Sequence, residues 1–326
     1  MPENLHDPAD EAMIARARDR AKPIARKWRR QRKRAPEGAL PNLIMIGAMK
    51  CGTTSLHRYL RLHPEIQMSG PKELNFFCED LNWPLGVDWY RAQFDPDSPV
   101  RGESSVHYTN FPRTPGVPAR MHEVVPDAKL IYMVRDPVRR MISQYMHNRA
   151  GGYETREIEE AFSLPSSSYH DRSRYWMQLE RFLEFFPSEM IHVASRGELD
   201  SDRRGTLRRI FGFLGVAEDF DSPQFEREWE TSGGKGGKFS LMDRVARLPG
   251  MRVFDKSYDR LPEGVYWAIE KVAYSPGAGG VERPELPEDL HRELTERFRS
   301  EVRQLEEFRG RPFETWSVND PAPTAA

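Results

Sequence analysis

The chain has 326 residues, 38% of them hydrophobic and 30% charged, and its 49 lysines and arginines nearly balance 50 aspartates and glutamates. That length suits one large α/β domain or two modest ones, and a net charge of -1 argues for no particular class of partner. Two cysteines, Cys51 and Cys78, exclude a disulfide framework, and no run reaches the roughly eighteen apolar residues of a membrane span.

Residues 1–40 open on a polar stretch, MPENLHDPADEAM, without the apolar core of a signal peptide, so a soluble cytoplasmic protein is expected. Between Arg16 and Arg34 lie eleven basic residues and one acid, Asp19. The segment reads as a basic N-terminal arm, helical or disordered. It is either a solvated tail or a surface for anionic lipid or polymer, which would allow peripheral membrane contact. Leu43–Ile46 is continuously apolar and ends in Gly47, the pattern of a strand buried on both faces. A glycine loop follows, then a helix over Thr54–Leu62. Lys129–Val134 and Pro137–Ala150 repeat the strand-to-helix unit, with a proline in the first turn where its missing N–H costs nothing.

Within Arg172–Phe186, residues Tyr175, Leu179, Phe182, Leu183 and Phe186 fall at helical spacing and form a core-packing face. Ile191–Ala194 predicts a strand, and Leu207–Leu214 a helix stopped by Gly215. Residues 217–285 are rich in glycine, proline and charge, with one helix near Gly264–Val272. Pro287–Phe308 is a closing amphipathic helix, and 317–326 a disordered tail. The alternation predicts an α/β fold: a single domain over 41–316, with a P-loop-like parallel sheet flanked by helices on both faces.

The segment GAMKCGTTSL, residues 47–56, lies between a buried strand and a helix start. Gly47 and Gly52 allow a tight turn and close backbone approach to a ligand. The N–H groups of Gly52, Thr53, Thr54 and Ser55 are helix-start donors, and Lys50 adds a full charge, so the loop suits an anion. It differs from a magnesium-NTP loop, whose lysine directly follows the second glycine, because Lys50 precedes Gly52. No metal is expected. In YMVRDPVRRMISQY, residues 132–145, Arg135 directly follows the second strand, where ligands bind in open α/β sheets. Ser143, about two turns on, can reach inward to share a second phosphate, while Arg139 and Arg140 are expected on the exposed side.

A strand–GxxKxGTTSL–helix unit followed by a strand–RDP…R…S–helix unit resembles the 5′-phosphosulfate and 3′-phosphate motifs of a known family. These are the sulfotransferases that use 3′-phosphoadenosine 5′-phosphosulfate (PAPS), above all the carbohydrate branch of heparan sulfate N- and O-sulfotransferases and its bacterial relatives. The likeness runs from about Pro41 to Trp316 and includes PKELNFF (71–77), GES (102–104), LERFLEFFP (179–187), FLGV (213–216) and KGGKF (235–239).

The resemblance implies a sulfotransferase with PAPS as co-substrate. Lys50 and the loop residues Cys51, Gly52, Thr53, Thr54 and Ser55 would hold its phosphosulfate, and Arg135 and Ser143 its 3′-phosphate. Cys51 serves as a small loop residue rather than a nucleophile. Glu73 matches the family's general base, the plain alternative being an ion pair with Lys72; His107 is the rival base. Lys235, Gly236, Gly237 and Lys238 resemble the late loop that closes over the nucleotide. Ser104 and Gly237 stand where the family carries basic residues, which leaves the acceptor open. A carbohydrate or small molecule is implied, and no nucleic acid, with loops 78–100 and 241–285 and exposed aromatics such as Trp83, Trp89, Tyr258 and Tyr266 shaping the choice. The competing readings are a P-loop nucleotide kinase or NTPase, and a non-enzymatic binder of anionic polymers acting through the basic arm.

Overall fold

A computed structural model describes residues 8–31, 38–70, 72–164, 166–227 and 284–319. Five strands form one sheet: β1 (Leu43–Gly47), β2 (Ile66–Met68), β3 (Val100–Ser104), β4 (Lys129–Val134) and β5 (Ile191–Ser195). Their order is β2-β3-β1-β4-β5 and every pairing is parallel, with Leu43 of β1 opposite Gly102 on one side and Lys129 on the other. All five carboxyl ends therefore lie on one edge. The chain builds outward from β1 in both directions, so that edge has a switch point beside β1, the place where open α/β sheets bind ligands. Leu43, Ile44, Met45 and Ile46 are fully buried, as a central strand covered on both faces requires.

Among the described residues the α-helices are α1 (Pro8–Gln31), α2 (Thr53–Leu60), α3 (Val87–Arg91), α4 (Val117–Val124), α5 (Pro137–Ala150), α6 (Ile158–Ser163), α7 (Ser168–Asp171), α8 (Tyr175–Leu183), α9 (Arg196–Ser201), α10 (Arg203–Leu214) and α11 (Glu288–Arg309). Local chemistry sets several boundaries. Asp136 caps α5 by accepting from the Arg139 N–H, and Ser195 with Glu198 forms a reciprocal capping box on α9. Gly215, at φ 79 and ψ 31, ends α10 in the left-handed conformation expected of it. On α11, Leu294, Phe298, Val302 and Leu305 are buried, and the helix packs against α5 and α8.

Several expectations are corrected. Arg140 is fully buried. Its guanidinium donates to Gln144 Oε1 (2.7 Å) on its own helix, and to Ser173 Oγ (2.6 Å) and the Tyr169 carbonyl (2.7 Å), which the chain around α7 brings against α5. Arg139 is exposed, as expected. Trp89 is buried and Trp83 half-buried, because both pack on Phe76 in an aromatic cluster that also stacks Tyr90 on Phe76 at 4.2 Å. Packed chain continues past Trp316: Val318 is buried, and Ser317 bonds to Asp136. The helix near Gly264–Val272, with Tyr258 and Tyr266, lies outside the described residues.

The basic arm is helical over Pro8–Gln31 and touches the domain, with Arg16 bonded to the Tyr153 hydroxyl and Arg18 paired with Asp80 at 2.6 Å. Among the described residues no helix is long and apolar enough to cross a membrane.

Candidate active site

The expected donors that fall within the described residues gather along the carboxyl edge of the sheet. Beyond β1 the chain turns sharply: Lys50 takes φ 68, and Gly52 takes φ 90 and ψ 13. The first helical bond of α2 runs from the Leu56 N–H to the Gly52 carbonyl at 3.1 Å, so the amides from Gly52 to Ser55 face out of the helix start. Thr53 and Ser55 are buried against the loop, and Thr54 is half-buried.

Arg135 follows β4, and its Nη1 lies 3.5 Å from the Lys50 carbonyl, across 85 residues of chain. Asp136 is not its counter-ion. The Asp136 carboxylate accepts from the Arg139 N–H (2.8 Å) and from the Ser317 N–H and Oγ (both 2.7 Å). Arg135 is braced instead through its backbone, where its carbonyl accepts from the Tyr175 hydroxyl at 2.7 Å. Ser143, on the inner side of α5, is 6% exposed, and its Oγ has no hydrogen-bond partner among the described residues. A buried hydroxyl left over in a well-bonded helix suits a site that an incoming acceptor completes.

Two further arginines join the edge. Arg196 opens α9 directly after β5, with its Nε bonded to both carboxylate oxygens of Asp200 (2.8 and 2.6 Å). It lies over the loop so closely that a Cβ on Gly52 would sit 2.8 Å from Arg196 Cδ. Its sequence signal was the one that marked Arg135, a basic residue immediately after a strand. Arg172 is fully buried with Nη1 2.9 Å from Met49 Sδ, beneath the same loop. No local pattern pointed to it.

Cys51, buried inside the loop, has its thiol pushed up by burial, which outweighs the Tyr175 hydrogen bond and the nearby Arg140, Arg135 and Arg196 charges. It stays protonated at neutral pH, which removes it as a nucleophile.

On the other side of β1, the chain after β2 runs beside β3. The Glu73 N–H donates to the Ser104 carbonyl at 2.9 Å. Its carboxylate pairs with Lys72 and accepts the Val106 N–H at 2.9 Å. Both Glu73, at φ 65, and Asn75, at φ 47, hold left-handed backbone. Burial and the Arg172 charge lower His107 to about 4, opposed by Glu73, so the imidazole is neutral near pH 7. Ser104 is buried and donates to Met45 Sδ at 3.4 Å. Lys235, Gly236, Gly237 and Lys238 lie outside the described residues. Among those described, no cluster of three or more His, Cys, Asp or Glu is placed to hold a metal ion.

The edge thus presents cations and helix-start amides on one side of β1 and a carboxylate with a neutral imidazole on the other. That division of charge suits moving an anionic group from a bound phosphate to a neutral nucleophile.

Comparison with known proteins agrees. The chain is 34% identical over 186 residues to the mouse heparan sulfate glucosamine 3-O-sulfotransferase 3B1, covering 54% of this chain and 46% of that protein. It is 27% identical over 252 residues to the Caenorhabditis elegans bifunctional heparan sulfate N-deacetylase/N-sulfotransferase 1, covering 72% of this chain and 28% of that one. The chain thus spans between about a quarter and a half of the length of these curated relatives. The crystal structure of a sulfotransferase from Alicyclobacillus acidocaldarius superposes with a TM-score of 0.59 at 28% identity, over 85% of this chain and 99% of that one. Residues 40–232 match the sulfotransferase domain family. Since that match takes in more than half of its length, the chain belongs to the sulfotransferase family.

Proposed function

We propose that the protein moves a sulfuryl group from PAPS to a hydroxyl or amine, with a carbohydrate or glycosylated small molecule as acceptor. The observation that carries this reading is the meeting of Lys50 and Arg135 at the carboxyl edge, 3.5 Å apart from guanidinium to backbone, over the start of α2. The guanidinium of one motif thus reaches the backbone of the other, far away in the chain, as a ligand with two anionic ends would require. The Ser143 Oγ, without a partner among the described residues, supports a 3′-phosphate beside Arg135. The heparan sulfate relatives support the acceptor class.

PAPS supplies an activated sulfuryl group on a leaving phosphate. Lys50 and the Gly52–Ser55 amides bind that phosphate and offset the charge it gains as its bond to sulfur breaks. Arg196, paired with Asp200, lies over Gly52 and would offer its guanidinium to the same phosphate. Arg135 and Ser143 bind the 3′-phosphate and set the register. Glu73 takes the acceptor proton as the new bond to sulfur forms, while Lys72 and the Val106 N–H hold its carboxylate in place. His107, neutral and near Glu73, is the second candidate base.

The test is transfer of radiolabelled sulfate from PAPS to N-desulfated heparan sulfate, other polysaccharides and small glycosides, alongside retention on immobilised adenosine 3′,5′-bisphosphate (PAP). Glu73→Gln should keep PAP binding and lose turnover by about a hundredfold or more. Preference for ATP with magnesium over PAP would instead support a nucleotide kinase or NTPase.

A further inference from the structure

The backbone that carries Glu73 takes an unusual course. Left-handed φ values at Glu73 and Asn75 are costly for residues with side chains, so something outside the loop must hold them. The end of β3 and the segment after it do so at four points. Two were described above, Ser104 O with the Glu73 N–H and the Val106 N–H with the Glu73 carboxylate. The other two run through hydroxyls: the Asn75 N–H donates to Ser105 Oγ at 2.9 Å, and the Phe76 N–H donates to the Tyr108 hydroxyl at 3.0 Å.

A hydroxyl has one proton, and where it points decides which lone pairs remain to accept. Here one carboxylate directs both. Ser105 Oγ donates to Glu103 Oε2 at 2.6 Å, the Tyr108 hydroxyl donates to Oε1, and Tyr90 OH donates to Oε1 at 3.0 Å. Glu103 is fully buried. Its titratable surroundings are Tyr90 from α3, Tyr108 from the segment after β3, and Cys78 and Glu73 from the loop after β2. With both oxygens accepting, both hydroxyl protons turn inward, and both hydroxyls present lone pairs to the loop amides. A glutamine offers one acceptor and one donor group, so it can satisfy only one of the two relays.

We infer that Glu103 is a positioning residue: through Ser105 and Tyr108 it fixes the backbone at Asn75 and Phe76, and so the placement of the Glu73 carboxylate. The catalytic consequence rests on the reading of Glu73 as the base; the structural one does not.

The experiment compares wild type with Glu103→Gln, Ser105→Ala, Tyr108→Phe, Tyr90→Phe and Glu73→Gln in the full chain at pH 8. Amide hydrogen exchange should speed up by about tenfold at Asn75 in Ser105→Ala, at Phe76 in Tyr108→Phe, and at one or both in Glu103→Gln, about the worth of one lost hydrogen bond. With PAPS and N-desulfated heparan sulfate, Glu103→Gln should lower kcat by about tenfold while the KM for PAPS and the Kd for PAP stay within about twofold. Tyr90→Phe, which touches Glu103 but neither loop amide, should leave exchange in the loop unchanged. Wild-type exchange across residues 73–77 in folded Glu103→Gln would overturn the inference. Faster exchange with full turnover in Glu73→Gln would uphold the positioning and overturn Glu73 as base.

Discussion

Asp136→Ala tests how Arg135, the proposed 3′-phosphate ligand, is held. Asp136 is 3% exposed and follows Arg135, so it could be taken for its counter-ion. The structure gives its oxygens other work, with Oδ1 capping α5 and Oδ2 accepting two bonds from Ser317. Loss of an N-cap costs about 1 kcal/mol. Losing the two bonds from the half-buried Ser317 N–H and hydroxyl adds roughly 1–3 kcal/mol, at about 0.5–1.5 kcal/mol each. The expected destabilisation is therefore about 2–4 kcal/mol, read as a lower urea midpoint at unchanged m. At roughly 2–4 °C per kcal/mol for a domain of this size, Tm should fall by about 4–16 °C. PAP binding should weaken as well, because the strand-to-helix turn that carries Arg135 loosens. A stability loss under about 0.5 kcal/mol would refute the capping argument. Tighter PAP binding in the variant would show that Asp136 had been neutralising Arg135 after all.

Gly52→Ala places a methyl group at φ 90 against Arg196, costing about 1–2 kcal/mol of backbone strain; calorimetry should show weaker PAP binding, and unchanged affinity would count against the loop as the anion site. Ser143→Ala should weaken PAP by about tenfold and leave adenosine 5′-phosphate unaffected, since it removes one hydrogen bond to the 3′-phosphate; equal effects on both would move Ser143 out of that role. Burial raises Glu103 from 4.5 to about 7, against the three hydroxyl bonds, so between those pH values the folded chain holds a proton that the unfolded chain has released. Its contribution is therefore full below about pH 4.5 and is lost as pH rises through 7, by up to about 1.4 kcal/mol per unit. Urea midpoints from pH 5 to 8 should show wild type losing ground to Glu103→Gln, and a pH-independent difference would contradict this.

Much of the edge was legible in one dimension. Leu43–Gly47 and Lys129–Val134 are apolar runs because central parallel strands are buried on both faces, and Pro137 and Gly215 punctuate helices by fixed backbone preferences. β2 and β3 were not. Ile66–Met68 is three residues long, and Val100–Ser104 contains Arg101, Gly102, Glu103 and Ser104, whose places are set by the partner strand rather than by their own pattern. Arg140 shows the limit most clearly. The sequence reading put it with Arg139 on the outside, yet two of its three acceptors come from residues 169 and 173, beyond its own helix, and a guanidinium can be buried once they arrive.

By itself, the sequence determined the strand–glycine loop–helix unit that carries Lys50, the family, and the place of Arg135 at the end of a strand, because strand burial, glycine turns and helix starts are local properties of a few neighbouring residues. Only tertiary structure decided what surrounds them: that Arg135 reaches the Lys50 loop, that Arg196 and Arg172 join it, and that Glu103 braces the Glu73 loop. Hydrogen bonds between residues thirty to more than a hundred positions apart are fixed by the sheet order, which sets the ends of β3, β1, β4 and β5 side by side.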